Sequence, residues 1–205
     1  IIGTILFLCA GSLNYINGWV FMLALFIPVS ALGAVLLAKN PAVLERRLTS
    51  KEPDKSQRAN ISMSAAMFIA AFLISGLDYR FGWSAMPFGV TVAALAIMLA
   101  GYGMFAAVIM QNAYASRVVD VFEGQKIITS GLYSIVRHPM YTATLLIYLS
   151  MPLVLGSWFG WLPMIIYPFI IARRIRNEEA LLVKELEGYA GYREKTRYRV
   201  VPLIW

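Results

Sequence analysis

The feature that most constrains this chain is a long apolar run, residues 19–38, which contains no charged side chain. A helix needs about 20 such residues to cross the hydrocarbon core of a bilayer. Over the whole chain, 60% of the residues are hydrophobic and only 14% are charged, whereas about a quarter of a soluble domain is charged. Because this excess of apolar side chains requires lipid as its solvent, we expect an all-α integral membrane protein.

Polar turns divide the apolar sequence into segments at 1–10, 19–38, 61–77, 85–110, 142–155 and 158–172. The last two are shorter than a full span and contain Pro152, Pro163 and Pro168, so we expect a bent helical hairpin there. Broken helices at membrane depth are tolerated where protein or a cavity covers the freed backbone groups, so this hairpin is a candidate pocket wall. The predicted fold therefore has five to six transmembrane helices, a C-terminal helical hairpin and a cytoplasmic C-terminal helix.

The basic residues predict the orientation of these helices. All of them except Arg80 lie at 39–58, 117–137 and 173–199, which share one side of the membrane if the chain makes three hairpins. The positive-inside rule makes that side cytoplasmic. The net charge of +7 is thus juxtamembrane, and without a groove-reading or base-stacking motif we expect no nucleic-acid partner. Within the first cluster, residues 41–48 predict a short interfacial helix with Val43, Leu44 and Leu48 facing inward.

Composition also limits the chemistry. Cys9 and His138 are the only cysteine and the only histidine, so an internal disulfide is excluded and a metal centre is not expected. We expect no cleavable signal peptide, since no basic stretch and no small-residue cleavage site flank the first apolar run. The chain is predicted to be a single membrane domain, residues 1–205, with transmembrane helices over 1–112 and a cofactor-binding catalytic region over 113–205.

A group of polar residues remains on the predicted cytoplasmic side. Pro139 suits the first turn of a helix, where its missing N–H is not needed. Arg137 and His138 would flank that helix start, which favours an anionic group. Arg174 and Glu178 are four residues apart and share a helix face, so on spacing alone a binding site and an ordinary ion pair remain alternatives. The other members are Asn112, Arg117, residues 124–141, Arg173, Glu179, Tyr189 and Tyr192.

These motifs resemble those of the isoprenylcysteine carboxyl methyltransferase family, which shares its C-terminal half with phospholipid methyltransferases and related small membrane methyltransferases. The resemblance covers residues 118–204 and is carried by "GQKIITSGLYSIVRHPMY", "RRIRNEEALL" and "YAGYREKTRYRVVPLI". Gln125 stands where the family usually has histidine, and Leu132 replaces the usual proline. These departures argue less for a true isoprenylcysteine enzyme than for a relative of one.

The resemblance implies S-adenosylmethionine as methyl donor, with S-adenosylhomocysteine as product, and a lipid or lipidated acceptor in the bilayer. It implies that Arg174 holds the acceptor carboxylate and that Glu178, or Glu179 one position later, binds the cofactor. Arg174, His138 and Glu178 are then the catalytic group. The implied cofactor-binding residues are Gln125, Lys126, Ile127, Ile128, Tyr133, Arg137, His138, Pro139, Met140, Tyr141, Glu178 and Glu179.

Four functions compete at this point. Methylation of a carboxylate needs no general base, because the acid is already ionised near neutral pH. Methylation of a phospholipid amine requires a proton to be removed first, by His138 or a glutamate. NADPH-dependent sterol reductases have a similar R-H-P-x-Y region but are larger. A membrane scaffold or transporter fragment is the fourth alternative, although intramembrane charges and repeated halves are not evident.

Overall fold

The computed structural model describes residues 1–48, 55–112, 114 and 124–205. Within that part of the chain every regular element is a helix, which confirms the all-α prediction. A short 3-10 turn, Gly131–Ser134, precedes α6. The α-helices are α1 (Ile2–Ala10), α2 (Ile16–Lys39), α3 (Pro41–Leu48), α4 (Lys55–Phe81), α5 (Phe88–Gln111), α6 (Pro139–Val154), α7 (Trp161–Met164), α8 (Tyr167–Glu185) and α9 (Tyr189–Lys195).

Three of these described helices are long and apolar enough to cross a membrane: α2, α4 from Ala59 onward, and α5. α6 is apolar but shorter. Large side chains on α2 point away from the protein, with Leu23, Phe26 and Ile27 each more than half exposed. A hydrophobic surface of this extent requires lipid around it. The structure therefore fits an integral membrane protein.

The hairpin at the end of the chain is bent more sharply than the sequence predicts. The expected sixth segment, 158–172, does not form one helix, because α7 ends at Met164 and α8 begins at Tyr167. Pro168 lies in the first turn of α8, where a proline nitrogen has no N–H to donate to the preceding turn. α8 then continues into the charged region as far as Glu185, as the tail-helix prediction required.

The short helix α3 forms as predicted, but one of its inward positions is wrong. Val43 is buried and Leu44 is half-buried, whereas Leu48 is 70% exposed. Val43 and Leu44 pack with residues of α2 and α5 and against Met140 at the start of α6. Leu48 is the last residue of α3 and lies beyond that contact.

Close helix packing depends on glycine at two contacts. α5 and α6 make the most extensive contact between described helices, and a Cβ at Gly101 would lie 2.8 Å from Ile147 Cγ1 and 3.1 Å from the Ala143 carbonyl oxygen. Likewise, a Cβ at Gly76 in α4 would lie 2.6 Å from Cys9 Cβ in α1. Both distances are too short for any larger residue.

At one end of the bundle, here called the far end, the turns after α1, α4 and α6 meet. The Asp78 carboxylate is buried there and accepts hydrogen bonds from the backbone N–H and the hydroxyl of Ser84, at 2.7 and 2.6 Å, and from the Ser157 hydroxyl. The Tyr15 hydroxyl donates to the Leu155 carbonyl at 2.5 Å. These bonds tie three turns together.

The opposite end, here called the strap end, is closed by residues 196–205, the strap. The N–H groups of Arg137 and His138 donate to the carbonyls of Tyr198 and Arg199 at 2.9 and 2.8 Å. The Thr142 hydroxyl donates to the Val200 carbonyl at 2.7 Å. The start of α6 is therefore fixed by backbone groups of the strap.

Candidate functional site

A cleft lies at the strap end between the start of α6, the middle of α8 and α9. Its empty volume, which includes the open solvent at its mouth, is about 940 Å³. Arg174 and every predicted cofactor residue except Glu179 lie in its wall. The wall also contains residues absent from the predicted cofactor set, namely Asn112, Tyr114, Leu181, Leu182, Leu186, Tyr189 and Tyr192. Arg117 lies outside the described residues.

The start of α6 supplies the cleft with His138, Pro139 and Met140. His138 is the N-cap residue and Pro139 is in the first turn, so the prediction that this proline opens a helix is confirmed. The N–H groups of Tyr141 and Thr142 both donate to the His138 carbonyl, at 3.0 and 3.3 Å. The helix start therefore offers an anion fewer N–H groups than the sequence suggested.

Behind the wall, Arg137 and Glu179 form a buried ion pair. Arg137 Nε lies 2.7 Å from Glu179 Oε1, and Arg137 Nη1 donates to the Thr196 and Arg197 carbonyls at 2.7 Å each. Arg199 Nε lies 2.9 Å from Glu179 Oε2. Burial alone would raise the pKa of Glu179, but hydrogen bonds from His138 and the two arginines hold that pKa well below its usual range.

This arrangement corrects the predicted position of two residues. Glu179 is 3% exposed and lies behind the cleft, because cationic side chains hold both of its oxygens. Arg137 borders the cleft, but its Nε and Nη1 bind Glu179 and the strap rather than facing a ligand. The sequence does contain a signal for the buried face of α8. Ile171, Ile175 and Glu179 are spaced by four and are all buried, which places Glu178 on the neighbouring face.

His138 connects this buried pair to the cleft. Its Nε2 lies 3.3 Å from Glu179 Oε1, and its Nδ1 lies 3.8 Å from Glu178 Oε1. The imidazole is buried, whereas the Glu178 side chain is 26% exposed. One carboxylate therefore fixes the ring from behind while the other faces the cleft.

Tyr141 connects the two residues of α8 that the sequence pairs on one face. Arg174 Nε donates to the Tyr141 hydroxyl at 2.8 Å, and this hydroxyl donates to Glu178 Oε2 at 2.6 Å. Arg174, Tyr141 and Glu178 thus form a hydrogen-bonded chain in the wall of the cleft. The family resemblance places Tyr141 near the cofactor, but no local pattern predicts the partners of its hydroxyl, because the contacts join residues more than 30 positions apart.

Three tyrosines form the other side of the cleft. The Tyr192 hydroxyl donates to the Tyr133 carbonyl at 2.6 Å, and the Tyr133 hydroxyl accepts from Asn112 Nδ2 at 2.8 Å. The Tyr189 side chain is buried, yet among the described residues its hydroxyl has no hydrogen-bond partner. Burial, together with the charges of Glu179 and Glu178, raises the pKa of Tyr189 well above 10. The hydroxyl therefore stays protonated, and in such a wall it is a polar group for a ligand to satisfy.

Fold and cleft together are those of a helical integral membrane protein with a polar ligand site at one end of its bundle. Residues 88–187 match the family model described as phospholipid methyltransferase. This region contains α5, α6 and α8, and the match confirms the resemblance to small membrane methyltransferases.

A curated relative comes from another class of enzyme. The Delta(14)-sterol reductase of Methylotuvimicrobium alcaliphilum is 27% identical over 135 residues. The alignment includes 58% of this chain but only 32% of the reductase. The chain thus spans about a third of the length of that relative.

Proposed function

We propose that this protein is an S-adenosylmethionine-dependent methyltransferase of the membrane. Its first-choice acceptor is the carboxylate of an S-isoprenylcysteine or a similar lipid-like acid. One observation carries the proposal: Arg174, Tyr141 and Glu178 are joined in the wall of a cleft, and all three lie in the region that matches a methyltransferase family. In this proposal residues 113–205 are the catalytic region and residues 1–112 are the membrane scaffold.

The residues present fit the methyl donor. Glu178 offers a partly exposed carboxylate, which accepts hydrogen bonds from a ribose diol. The Tyr189 hydroxyl is buried in the wall and has no partner within the described part of the chain, as expected of a group whose partner is a ligand. Ile127, Leu181 and Leu182 provide apolar surface against which an adenine ring can pack.

When bound, the donor supplies a methyl group on a cationic sulfur; an acceptor oxygen bonds to that carbon as the S–C bond breaks, and the sulfur keeps the electron pair. Arg174 holds the acceptor acid in line with this carbon, which is catalysis by positioning. No proton moves, since the acid is already ionised near neutral pH. A low-dielectric cleft favours such a step because two opposite charges cancel along it.

The charge distribution supports a cytoplasmic active site. Every lysine and arginine except Arg80 lies in a segment assigned to the strap end, and Arg80 closes α4 toward the far end. With the strap end in the cytoplasm, a water-soluble donor enters from that side and a lipid acceptor enters between helices. We propose five to six helices in the bilayer: the three long spans, α6 and α8 of the hairpin, and α1 as the sixth.

A phospholipid amine is the second candidate acceptor, and the family match favours it directly. An amine is protonated near neutral pH and must lose a proton before it attacks. His138, whose Nδ1 lies 3.8 Å from Glu178 Oε1, is the group placed to receive that proton.

Ligand binding separates a methyltransferase from a reductase. S-adenosylhomocysteine and NADPH are titrated separately into the detergent-solubilised protein by calorimetry. We expect the homocysteine compound to bind and NADPH not to bind. Binding of NADPH alone would overturn the proposal in favour of the class of the sterol-reductase relative.

A transfer assay then separates the acceptors. Labelled S-adenosylmethionine is supplied with an S-farnesylated cysteine derivative and, in parallel, with phosphatidylethanolamine. Labelled ester from the first supports the carboxylate, and label only in the second assigns the amine. Arg174→Ala is expected to lower kcat/KM for the acid acceptor at least tenfold while donor affinity stays within threefold. Arg176→Ala, an exposed position on the same helix, is the matched control.

A further inference from the structure

We propose that Tyr141 is a positioning residue whose single hydroxyl orients both Glu178 and Arg174. The donor side and the acceptor side of the cleft are then aligned by one group. This inference rests on the proposed function and deepens it, because it specifies how the acceptor acid is held.

The direction of each bond in this chain follows from the chemistry of the groups. An arginine has only donors and an ionised carboxylate has only acceptors, whereas a phenol has one hydrogen and can also accept. The hydroxyl at 2.8 Å from Arg174 Nε and 2.6 Å from Glu178 Oε2 must therefore accept from the arginine and donate to the glutamate. Phenylalanine can do neither, although its ring has the same shape.

For Arg174, this bond selects one way of holding an acid. An arginine pairs with a carboxylate either side-on, through Nε and one terminal nitrogen, or end-on, through both terminal nitrogens. Tyr141 occupies Nε, so the side-on arrangement is blocked. Tyr141 thereby fixes the plane of the guanidinium and keeps Nε from the acceptor acid.

For Glu178, the same bond means that its two carboxylate oxygens have different partners. Oε2 accepts from Tyr141, while Oε1 lies 3.8 Å from His138 Nδ1. Fixing Oε2 sets the plane of the carboxylate. Oε1 is thereby presented to the hydroxyl groups of the donor.

The hydroxyl of Tyr141 is itself held in place by its surroundings. Tyr141 lies in the first turn of α6, beside His138 and Thr142, which are both hydrogen-bonded to the strap. Glu178 and Arg174 lie one turn apart on α8. The two hydrogen bonds of the Tyr141 hydroxyl, here called the bridge, therefore join two rigid elements. Their loss changes the orientation of the Arg174 and Glu178 side chains without unfolding either helix.

The kinetic test compares Tyr141→Phe with Tyr15→Phe. Each variant loses a phenolic hydroxyl from a buried hydrogen bond, but Tyr15 donates to Leu155 at the far end. In Tyr141→Phe we expect kcat/KM for the acid acceptor to fall at least tenfold and the Kd of S-adenosylhomocysteine to rise three- to tenfold. In Tyr15→Phe both stay within twofold of wild type. If wild type is active and both variants match it within twofold, the positioning role is overturned while the proposed function stands.

The kinetics of a double variant test whether Tyr141 acts through Arg174. Lysine has no Nε–H for the hydroxyl to accept and no guanidinium plane to orient. On an Arg174→Lys background, Tyr141→Phe is therefore expected to lower acceptor kcat/KM by less than a further twofold. A full additional tenfold loss would show that Tyr141 acts by another route.

Arginine modification measures the bridge without any catalysis. Phenylglyoxal is added to the solubilised protein, and peptide mass spectrometry follows Arg174, with neighbouring Arg173 as internal reference. We expect Arg174 to react at least threefold faster in Tyr141→Phe than in wild type, and no faster in Tyr15→Phe. If the wild type transfers methyl to neither acceptor, the proposed function fails. The modification experiment still tests the bridge, because an unchanged Arg174 reaction rate in Tyr141→Phe would overturn it and a faster rate would support it.

Discussion

The two ends of the helical bundle bury their carboxylates in different ways. At the far end, the described partners of Asp78 are serine groups of neighbouring turns, and the Ser157 hydroxyl in turn accepts from the Gly160 N–H at 2.8 Å. At the strap end, Glu179 is held by two arginines, and Glu178 beside it faces an open cleft.

This difference separates a structural network from a binding site. Asp78 borders a cavity too, but both of its oxygens already accept hydrogen bonds from groups in the protein. In the cleft at the strap end, the Tyr189 hydroxyl has no partner among the residues that the structure describes, and Glu178 is partly exposed. A pocket lined by polar residues is therefore a better candidate site when some of those residues still lack partners.

The largest expected effect is at the buried ion pair. Glu179→Ala leaves Arg137 buried without its carboxylate, and removing one partner of such a pair costs about 3–5 kcal/mol of unfolding free energy. Thermal unfolding in detergent measures the loss. Glu185→Ala, exposed at the end of α8, should stay within about 0.5 kcal/mol. Equal stability of the two variants would contradict the role assigned to Glu179.

Glu178, the neighbour of Glu179, should affect ligand affinity strongly and stability little. Glu178→Ala removes the carboxylate that faces the cleft, so the Kd of S-adenosylhomocysteine should rise about 100-fold, equivalent to ~2.7 kcal/mol. Thermal stability should change little, because this side chain is partly exposed. Titration calorimetry measures the affinity, again with Glu185→Ala as control. An unchanged affinity would remove Glu178 from the proposed site.

At the far end, stability should change and binding should not. Asp78→Ala takes the acceptor from the Ser84 and Ser157 hydroxyls, and leaving buried donors unsatisfied costs about 1–3 kcal/mol. The affinity for S-adenosylhomocysteine should stay within twofold of wild type. A tenfold weaker affinity in this variant would mean that the two ends are not independent.

The smallest effect is on the pH dependence of stability. The pKa of Glu179 is lowered in the folded protein from its usual 4.5, so its contribution is complete above about pH 4.5 and is lost as the pH falls below that value. The slope of this loss is at most about 1.4 kcal/mol per pH unit. Unfolding temperatures between pH 7 and pH 3.5 should therefore fall more steeply for wild type than for Glu179→Gln. Parallel curves would contradict the depressed pKa.

Local signals allowed much of the fold to be predicted. Apolar length located α2, α4 and α5, and Pro139 located the start of α6, because both features act within a few residues of the chain. The inward position of Leu48 was wrong, because it depends on where the contact between α3 and its neighbours ends. The prolines predicted a bent hairpin, but they did not locate the break between α7 and α8.

The cleft was predictable as a set of residues but not as a geometry. Consecutive helical residues point about 100° apart, so choosing between Glu178 and Glu179 required knowledge of the face of α8 that is buried. The bridge through Tyr141 and the bonds from Arg137 to the strap join positions 33 to 60 residues apart. No local pattern in the chain encodes such contacts.

The strap also has a consequence for how the protein forms on the ribosome. Arg137 is synthesised 59 residues before the Thr196 carbonyl to which its side chain donates. At typical translation rates of about 5–20 residues per second, the interval is on the order of several seconds. During that time the nascent start of α6 lacks the carbonyls that hold it, so the bilayer receives the preceding helices first and the cleft closes only after the strap has emerged.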